Sequence, residues 1–306
     1  MNLKFWNKSV PGLVGIEISD QGICLAHVDD STSQPTLQTC EMLMANEGWD
    51  PKEQLRERVK QLKLTGMRCN VVLPAGSYNL LLVEAPNVPD EELRDAIRFR
   101  VKDMISFPLE DALIDVFPLP ADSSRSGRKM VYAVTTQESK VRDIMALIED
   151  VELELAYIDI SEMALRNITE KLDVGQRGVA IVRLLQGQAT LALMREGNMY
   201  LSRQFDLPYN AGLLDDLPED QLVLELQRSL DYYERQMGQA PPTSICLCGD
   251  NVTADKVSEN FNASVAAQVS VLQLAQTLNA PESLDESLLQ LCVTAIGGAL
   301  RKPEAA

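Results

Sequence analysis

Hydrophobic and polar positions along this chain follow two alternating periodicities, and the changes between them mark the predicted elements. Apolar runs of strand length at 12–18 and 23–28 flank the polar turn 19–22, which predicts a β-hairpin. A third strand is predicted at 36–44, then a helix opened by Pro51 and closed by Gly66, then a buried strand in MRCNVVL. The predicted order is strand, strand, strand, helix, strand.

The same order of elements returns in the second half of the chain. GVAIVRLL and QATLALM flank Gln186 and Gly187, the run at 199–207 supplies a third strand, and an amphipathic helix follows around 222–237. TSICLCGDN at 243–251 then repeats the pattern of CNVVLPAGS at 69–77. Repeated supersecondary order at near-equal spacing favours a duplicated fold.

The stretch at 86–117 lies between the two repeated units and begins with two prolines. Both favour extended backbone, and the acidic residues 90–92 lie at the positive end of the helix that follows. Apolar residues at helical spacing form one face of this helix, and basic residues at 94, 98 and 102 form a stripe beside it. The helix is predicted to end at 106–108, before a short strand at 112–117.

The remaining elements are predicted from the same two periodicities. A strand is predicted at 130–136, an amphipathic helix around 141–148, a strand at 151–160 and a helix at 161–172. An apolar helix is predicted at 288–300. At the start of the chain, we interpret Leu3, Phe5 and Trp6 as packing on the first domain, in preference to contact with an anionic membrane.

The composition is that of a soluble globular protein with a strongly acidic balance. The chain has 306 residues, is 45% hydrophobic and carries a formal net charge of -17. This charge argues against general nucleic-acid binding, because neutralising phosphates needs a cationic face. No stretch approaches the roughly 18 apolar residues that cross a bilayer, so we predict no transmembrane segment and a cytoplasmic protein.

The chemically reactive residue types show no catalytic pattern. The six cysteines lie mostly in apolar runs, which predicts buried free thiols in a reducing compartment. Cys246 and Cys248 have no second ligand pair, so no metal site is predicted. The single histidine, His27, is interpreted as a core or edge residue. Because no nucleophile elbow, phosphate loop or two-histidine pair occurs, the residues predict no enzyme.

The stretch at 86–117 also resembles a known family. Its order of Pro-x-x-Pro, acidic residues, Leu, Ala-Ile, Phe, a Phe-Pro corner, Glu and then Asp-Val-Phe is similar to the inserted subdomain of PilM-type proteins. These are actin-like cytoplasmic components of type IV pilus assembly, and the nearest resemblance is to members that serve the mannose-sensitive haemagglutinin (MSHA) pilus.

The resemblance implies an α/β, actin-like (FtsA/PilM-type) fold with two duplicated lobes and a subdomain inserted in the first. The implied divisions are the first lobe at 1–85, the inserted α/β subdomain at 86–150, a return to the first lobe at 151–175, the second lobe at 176–283, a C-terminal helix packing back on the first lobe at 284–301, and a tail at 302–306.

A nucleotide cleft between the lobes is also implied by the resemblance. ATPases of this fold carry an acidic residue in each of two hairpins, where the carboxylates organise magnesium. Here Glu17 takes the first position, but Val182 or Arg183 takes the second, and Asp250 replaces a glycine of a later turn. We therefore expect no enzyme and no cofactor, with residual binding of ATP and magnesium left open. The candidate cleft residues are Glu17, Ser19, Asp20, Gln21, Gly22, Gly187 and Gly249.

Partner binding is the function that the resemblance implies. PilM-type proteins bind the short cytoplasmic N-terminal tail of a PilN-like inner-membrane protein in a groove between the first lobe and the inserted subdomain. The candidate groove residues in this chain are Leu93, Arg94, Ile97, Arg98, Val101, Lys102, Phe107 and Pro108. The alternatives are that the apolar members form the subdomain's own core and that the basic members form a solvated face.

The predicted function is therefore a non-enzymatic cytoplasmic adaptor of the inner-membrane platform in type IV pilus biogenesis. The pilus motor ATPases and a second copy of the chain are further candidate partners. Two alternatives stay open from the sequence: a nucleotide-binding actin-like ATPase switch, and the cytoplasmic module of a type II secretion system.

Overall fold

Three β-sheets form the framework of the protein in the computed structural model, which describes residues 11–32, 34–124, 127–172 and 174–302. The predictions for Leu3, Phe5, Trp6 and the last four residues lie outside the described residues. The first half contains β1 (Leu13–Ser19), β2 (Gly22–Asp29), β3 (Thr36–Met44), α1 (Pro51–Gln61), β4 (Arg68–Leu73), β5 (Asn79–Glu84), α2 (Asp90–Val101), β6 (Ala112–Pro118), β7 (Met130–Gln137), α3 (Glu138–Asp150), β8 (Glu154–Ile160) and α4 (Ser161–Thr169).

The second half of the chain repeats the first sheet. Its elements are β9 (Val179–Leu185), β10 (Gln188–Arg195), β11 (Asn198–Asp206), α5 (Glu219–Arg235), β12 (Ser244–Gly249), α6 (Glu259–Ser264), β13 (Gln268–Val271), α7 (Leu274–Thr277), α8 (Glu286–Leu291) and α9 (Val293–Ala299). The first sheet has the order β3-β2-β1-β4-β8 and the second has the order β11-β10-β9-β12-β13. Because the two orders correspond strand for strand, the predicted duplicated α/β fold is confirmed.

Local sequence signals account for the elements of each repeat. Asp50 caps α1 by accepting from the backbone amides of Lys52 and Glu53, and Pro51 occupies the first turn, where its missing amide costs nothing. Leu55 and Val59 then point inward, one helical turn apart, into a core formed with strands β1, β2 and β4. The helix is thus specified by capping and periodicity within a few residues of itself.

The small sheet, with the order β5-β7-β6, differs from the predicted inserted subdomain at both ends. It begins at Asn79, ahead of the predicted start at residue 86, because β5 pairs antiparallel with β7 along its whole length. At the other end, α3 contacts both β7 of the small sheet and β8 of the first sheet, and its Ile148 is buried in the core of the first sheet. The helix α2 ends at Val101, earlier than predicted, and residues 102–104 form a turn.

The predicted apolar helix at 288–300 is two helices, which break at Cys292. Helix α8 lies between the two sheets and contacts both β3 and β12; its Gln290 side chain accepts from the Gly249 amide and donates to the Leu272 carbonyl. Helix α9 is buried throughout and packs on β1 and α4 of the first lobe. The approach is close: a Cβ added to Gly15 would lie 1.8 Å from the Ala295 carbonyl oxygen.

Among the described residues, none of the helices is long and apolar enough to cross a membrane. All six cysteines are buried, as their apolar surroundings predict. The ring of His27 is also buried, with Nε2 2.9 Å from the Pro11 carbonyl oxygen.

Candidate functional site

A buried ion pair joins the two lobes at the bottom of the cleft between them. Glu17 lies near the end of β1 and Arg183 on β9, the corresponding strand of the second sheet. The guanidinium of Arg183 donates from Nη1 to Oε1 at 3.1 Å and from Nη2 to Oε2 at 3.0 Å, which is the bidentate geometry of a strong Arg–carboxylate pair. Each side chain is only 6% exposed.

The groups around this ion pair favour its charged state. Thr294 of α9 donates its hydroxyl to Glu17 Oε2 at 2.6 Å. Burial on its own lowers the pKa of Arg183, but the charge and hydrogen bonds of Glu17 raise it more, so the pKa lies above its ordinary value. Asp250 lies nearby, and burial raises the pKa of its carboxyl although Arg183 lowers it. Arg183 is therefore a cation that pairs with Glu17 and also acts electrostatically on Asp250.

The cavity beside the ion pair has a volume of about 280 Å³, slightly below the roughly 300 to 1,000 Å³ of typical ligand pockets. Four predicted cleft residues line it: Glu17, Ser19, Asp20 and Gln21. Gly22, Gly187 and Gly249 do not. Gly249 instead lies against β9, where an added Cβ would be 2.1 Å from the Leu184 carbonyl oxygen.

The charges at this cavity differ from those of the nucleotide cleft that the resemblance implies. A carboxylate and a guanidinium occupy the two positions at which it implies carboxylates, and the carboxylate already accepts from two partners, Arg183 and Thr294. Asp250 adds a negative charge to the same cavity, which disfavours phosphate groups. Among the described residues, no cluster of three or more His, Cys, Asp or Glu side chains could hold a metal ion.

The apolar residues predicted from α2 to line the partner groove face inward. Ile97 and Val101 are fully buried in the core of the small sheet with Ala112 and Ile114, so assigning these two residues to a groove surface is corrected. Leu93 and Phe107 are half-buried and pack against the same core. The physical reason is that a helix covering a three-stranded sheet must bury its own apolar face before it can offer any to a partner.

The predicted basic stripe is partly engaged within the subdomain. Arg94 pairs with Asp115 of β6 at 2.8 Å, but both side chains are more than 60% exposed. Arg98 donates to the carbonyl groups of Leu109 and Ala112 and so ties α2 to the start of β6. Lys102 and Pro108 are exposed. Arg94 and Leu93 line a second cavity of about 730 Å³, which shares Val116 and Pro118 of β6 with a groove between the first lobe and the small sheet.

A groove of about 470 Å³ runs between the first lobe and the small sheet. One wall is β6 with β7, the opposite wall is β8 with α4, and the β10–β11 turn at 197–199 closes one side. Both β6 and β8 are edge strands, because each stands last in its sheet order. Apolar side chains line much of the groove: Leu73, Leu113, Val116, Phe117, Val134, Val141, Ile158, Ile160, Met163 and Met199. Polar side chains line the rest: Asp115, Thr136, Asp159, Arg166, Asn198 and Arg301.

Two of the charged residues that line the groove pair with each other. Asp159 and Arg301 form an ion pair, and Arg301 also lies 4.8 Å from the centre of the Tyr157 ring. Burial raises the pKa of Asp159, while Arg301 and Asn70 lower it. The Nε atom of Arg166 is buried without a hydrogen-bond partner among the described residues. None of the eight predicted partner-binding residues lines this groove.

The residues of this groove were missed because the edge positions of β6 and β8 follow from strand order. The sequence predicts both strands but not β5, so it cannot show which strand of the small sheet lies at an edge. One available signal was the apolar run NLLLV at 79–83, which has strand length and precedes the prolines.

Comparisons with known proteins bear on the fold. No protein-family model and no curated sequence matches the chain. Among solved structures, the chain is similar to a chain of the PilM–PilN type IV pilus biogenesis complex, with 18% identity over 96% of this chain and 100% of that chain and a TM-score of 0.73. It is also similar to a Bacteroides thetaiotaomicron protein of actin-like ATPase fold and unknown function, with 10% identity over 89% and 94% of the two chains and a TM-score of 0.53.

A third similar structure is the cytoplasmic domain of EpsL, an inner-membrane component of the type II secretion system of Vibrio cholerae. It shares 12% identity over 92% of this chain and 93% of that domain, with a TM-score of 0.52. All three similarities span nearly the whole length of both chains, so they concern the complete two-lobe arrangement with its small sheet. The chain therefore has a PilM-like actin fold.

Proposed function

We propose that this protein is a non-enzymatic adaptor of type IV pilus biogenesis, of the MSHA type represented by MshI. It binds the N-terminal cytoplasmic tail of a PilN-like inner-membrane protein and is recruited to the membrane through that partner. The observation that supports this proposal most directly is the groove lined by the edge strands β6 and β8. The similarity to the PilM–PilN complex supports a partner of this kind.

The geometry of the groove suits an extended peptide. Edge strands present backbone amide and carbonyl groups that have no partner within their own sheet, and a peptide can pair with them as an additional strand. Apolar side chains on both walls then accept the alternating side chains of that peptide. Leu113 of β6 is the most accessible large apolar residue of the lining, at 46% exposure.

Overall charge supports a tail from a membrane protein. The cytoplasmic flanks of membrane-spanning helices carry an excess of lysine and arginine. A chain with a net charge of -17 attracts such a segment over a distance of about a Debye length. The attraction raises the association rate, while the apolar groove supplies the specificity.

The interlobe ion pair supports the non-enzymatic part of the proposal. The Glu17 carboxylate already accepts hydrogen bonds from Arg183 and Thr294, and a nucleotide with its cation would have to break both interactions. The cavity that remains is small and carries the additional acidic group of Asp250. A protein that has to exchange ATP has no evident use for a buried ion pair at this position.

The test is fluorescence anisotropy with a labelled synthetic tail of the candidate PilN-like partner. Saturable binding is expected, with an affinity that ATP and magnesium do not alter. Leu113→Lys should weaken binding by tenfold or more, because it places a charge in the apolar lining. Leu224→Lys is the matched control: Leu224 is 44% exposed and lies on α5, outside the groove.

The outcome that contradicts the proposal is a tail that does not bind, or one whose binding both substitutions weaken equally. A tail methylated on alternate backbone nitrogens should bind less tightly if it adds to a sheet edge, since it lacks the amide donors. Thermal unfolding with ATP and magnesium tests the nucleotide switch, because a ligand at a hundredfold excess over its Kd stabilises the folded state by about 2.7 kcal/mol. Such a shift would favour the switch over the adaptor.

A further inference from the structure

The partner groove is built from both lobes, although most of its lining belongs to the first. Gly197, Asn198 and Met199 lie at the β10–β11 turn and form its third wall. The β10 strand pairs along its length with β9, which carries Arg183 opposite Thr190. The position of this wall is therefore rigidly linked, through one sheet, to the ion pair at the bottom of the cleft.

Other polar contacts between the lobes occur near the groove, including a hydrogen bond that the Ser202 amide donates to the Tyr132 hydroxyl at 2.9 Å. Asp122, from the loop between β6 and β7, accepts from Arg195 Nη2 at 2.5 Å and from the Tyr200 hydroxyl at 3.0 Å. Glu162 of α4 accepts from the Ser202 hydroxyl at 3.2 Å. The Asp122 contact is half-exposed, and Glu162 has no cationic partner within the described part of the chain, so neither matches the buried, charge-paired geometry of Glu17 and Arg183.

Burying an ion pair costs desolvation free energy, so stabilisation alone is a weak explanation for this one. The desolvation of two charges offsets much of their attraction, and an apolar pair of similar volume often gives equal stability. Arg183 also leaves its Nε atom without a partner among the described residues. Apolar surfaces tolerate sliding, whereas a bidentate guanidinium and carboxylate have one favourable geometry. Such a pair therefore specifies the orientation of the lobes better than their apolar contacts do.

We propose that Glu17 and Arg183 are positioning residues of the partner groove: their ion pair fixes the spacing of the two lobes without a bound ligand and so holds the 197–199 turn in place. The identity of the partner rests on the proposed function. The effect of the ion pair on lobe spacing does not depend on it. The cleft between the lobes then has a structural role, because β9 and β10 connect its ion pair to the wall of the groove.

The test measures lobe spacing and tail binding in the same variants. Spin labels are attached at Glu57→Cys on α1 and Glu234→Cys on α5, which are exposed positions on corresponding helices of the two lobes. Their distance distribution is expected to be narrow in the otherwise unchanged protein and insensitive to ATP and magnesium. Arg183→Met and the milder Glu17→Gln should both broaden it and weaken tail binding by tenfold or more.

The matched control is Arg58→Met, which removes a bidentate ion pair with Glu41 inside the first lobe. It should lower stability without broadening the distance distribution or weakening tail binding. A distribution that stays narrow in both Arg183→Met and Glu17→Gln would overturn the inference and leave the proposed function intact. A distribution that broadens in a protein that binds no tail would refute the proposed function and retain the positioning role.

Discussion

The substitution Arg183→Met removes one partner of a buried ion pair and leaves the Glu17 carboxylate without a counter-ion. At an effective dielectric constant of about 20, two unit charges 3.0 Å apart attract by about 5.5 kcal/mol. Most of this is offset in the folded protein by the desolvation of both groups. After the substitution, the desolvation of Glu17 remains while the attraction is lost, so we expect a loss of about 3–5 kcal/mol in the free energy of unfolding.

Urea unfolding followed by far-ultraviolet circular dichroism measures this loss. The slope of the free energy against urea concentration should be unchanged, because a changed slope would indicate a different folded or unfolded state. The double variant Glu17→Met with Arg183→Met should recover most of the stability, since it removes both charges together. This recovery separates the cost of an unpaired charge from the loss of packing around the arginine stem.

An exposed ion pair supplies the comparison. Arg142 and Glu138 form such a pair one turn apart on α3, and Arg142→Met should cost no more than about 0.5 kcal/mol. If Arg183→Met costs as little as Arg142→Met, Glu17 is hydrated in solution and the buried ion pair does not hold the lobes together. If the double variant is as unstable as the single one, packing accounts for the loss and the charge argument is wrong.

The remaining predictions concern the fold and the two surfaces. Burial raises the pKa of Glu162, so the folded state binds its proton more tightly than the unfolded chain, and this group should lower stability as pH rises from about 4.3 towards the raised pKa. Glu162→Gln should make the fall smaller in urea titrations at several pH values, while the contributions of Asp159 and Asp250 remain. Ile97→Ala should cost about 2–5 kcal/mol by leaving a cavity in the core of the small sheet; a small cost with impaired tail binding would restore the groove assignment. Gly15→Ala should cost about 1–3 kcal/mol or more by forcing α9 away from β1, as thermal unfolding would show. Arg94→Glu should change stability by about 0.5 kcal/mol at most and leave tail affinity in anisotropy titrations unchanged; loss of binding would place the tail on α2.

Much of the fold was predictable because its signals are local. The first hairpin follows from two apolar runs around a polar turn, and α1 follows from Asp50, Pro51 and the spacing of Leu55 and Val59. The duplication was visible because both halves carry the same order of such signals. None of these inferences needs contacts between distant parts of the chain.

Elements that depend on distant partners were predicted less well. Strand β5 pairs with β7, some fifty residues further along the chain, and its own residues do not alternate strictly. The break between α8 and α9 separates a helix that contacts β3 of the first sheet and β12 of the second from a helix that packs on β1 and α4 of the first lobe. An apolar pattern alone cannot tell which of two cores a helix will join.

The candidate sites divide in the same way. The sequence by itself determined that Glu17 stands at a carboxylate position and that its counterpart on β9 is not acidic, because each is a matter of residue type at one place in a hairpin. Only the tertiary structure decided that Arg183, 166 residues away, turns to Glu17 and neutralises it. Likewise, the apolar character of β6 and β8 can be read from their own residues. Their positions as edge strands that line one groove depend on strand order and on the packing of the lobes. Both are set by long-range contacts, which no local pattern encodes.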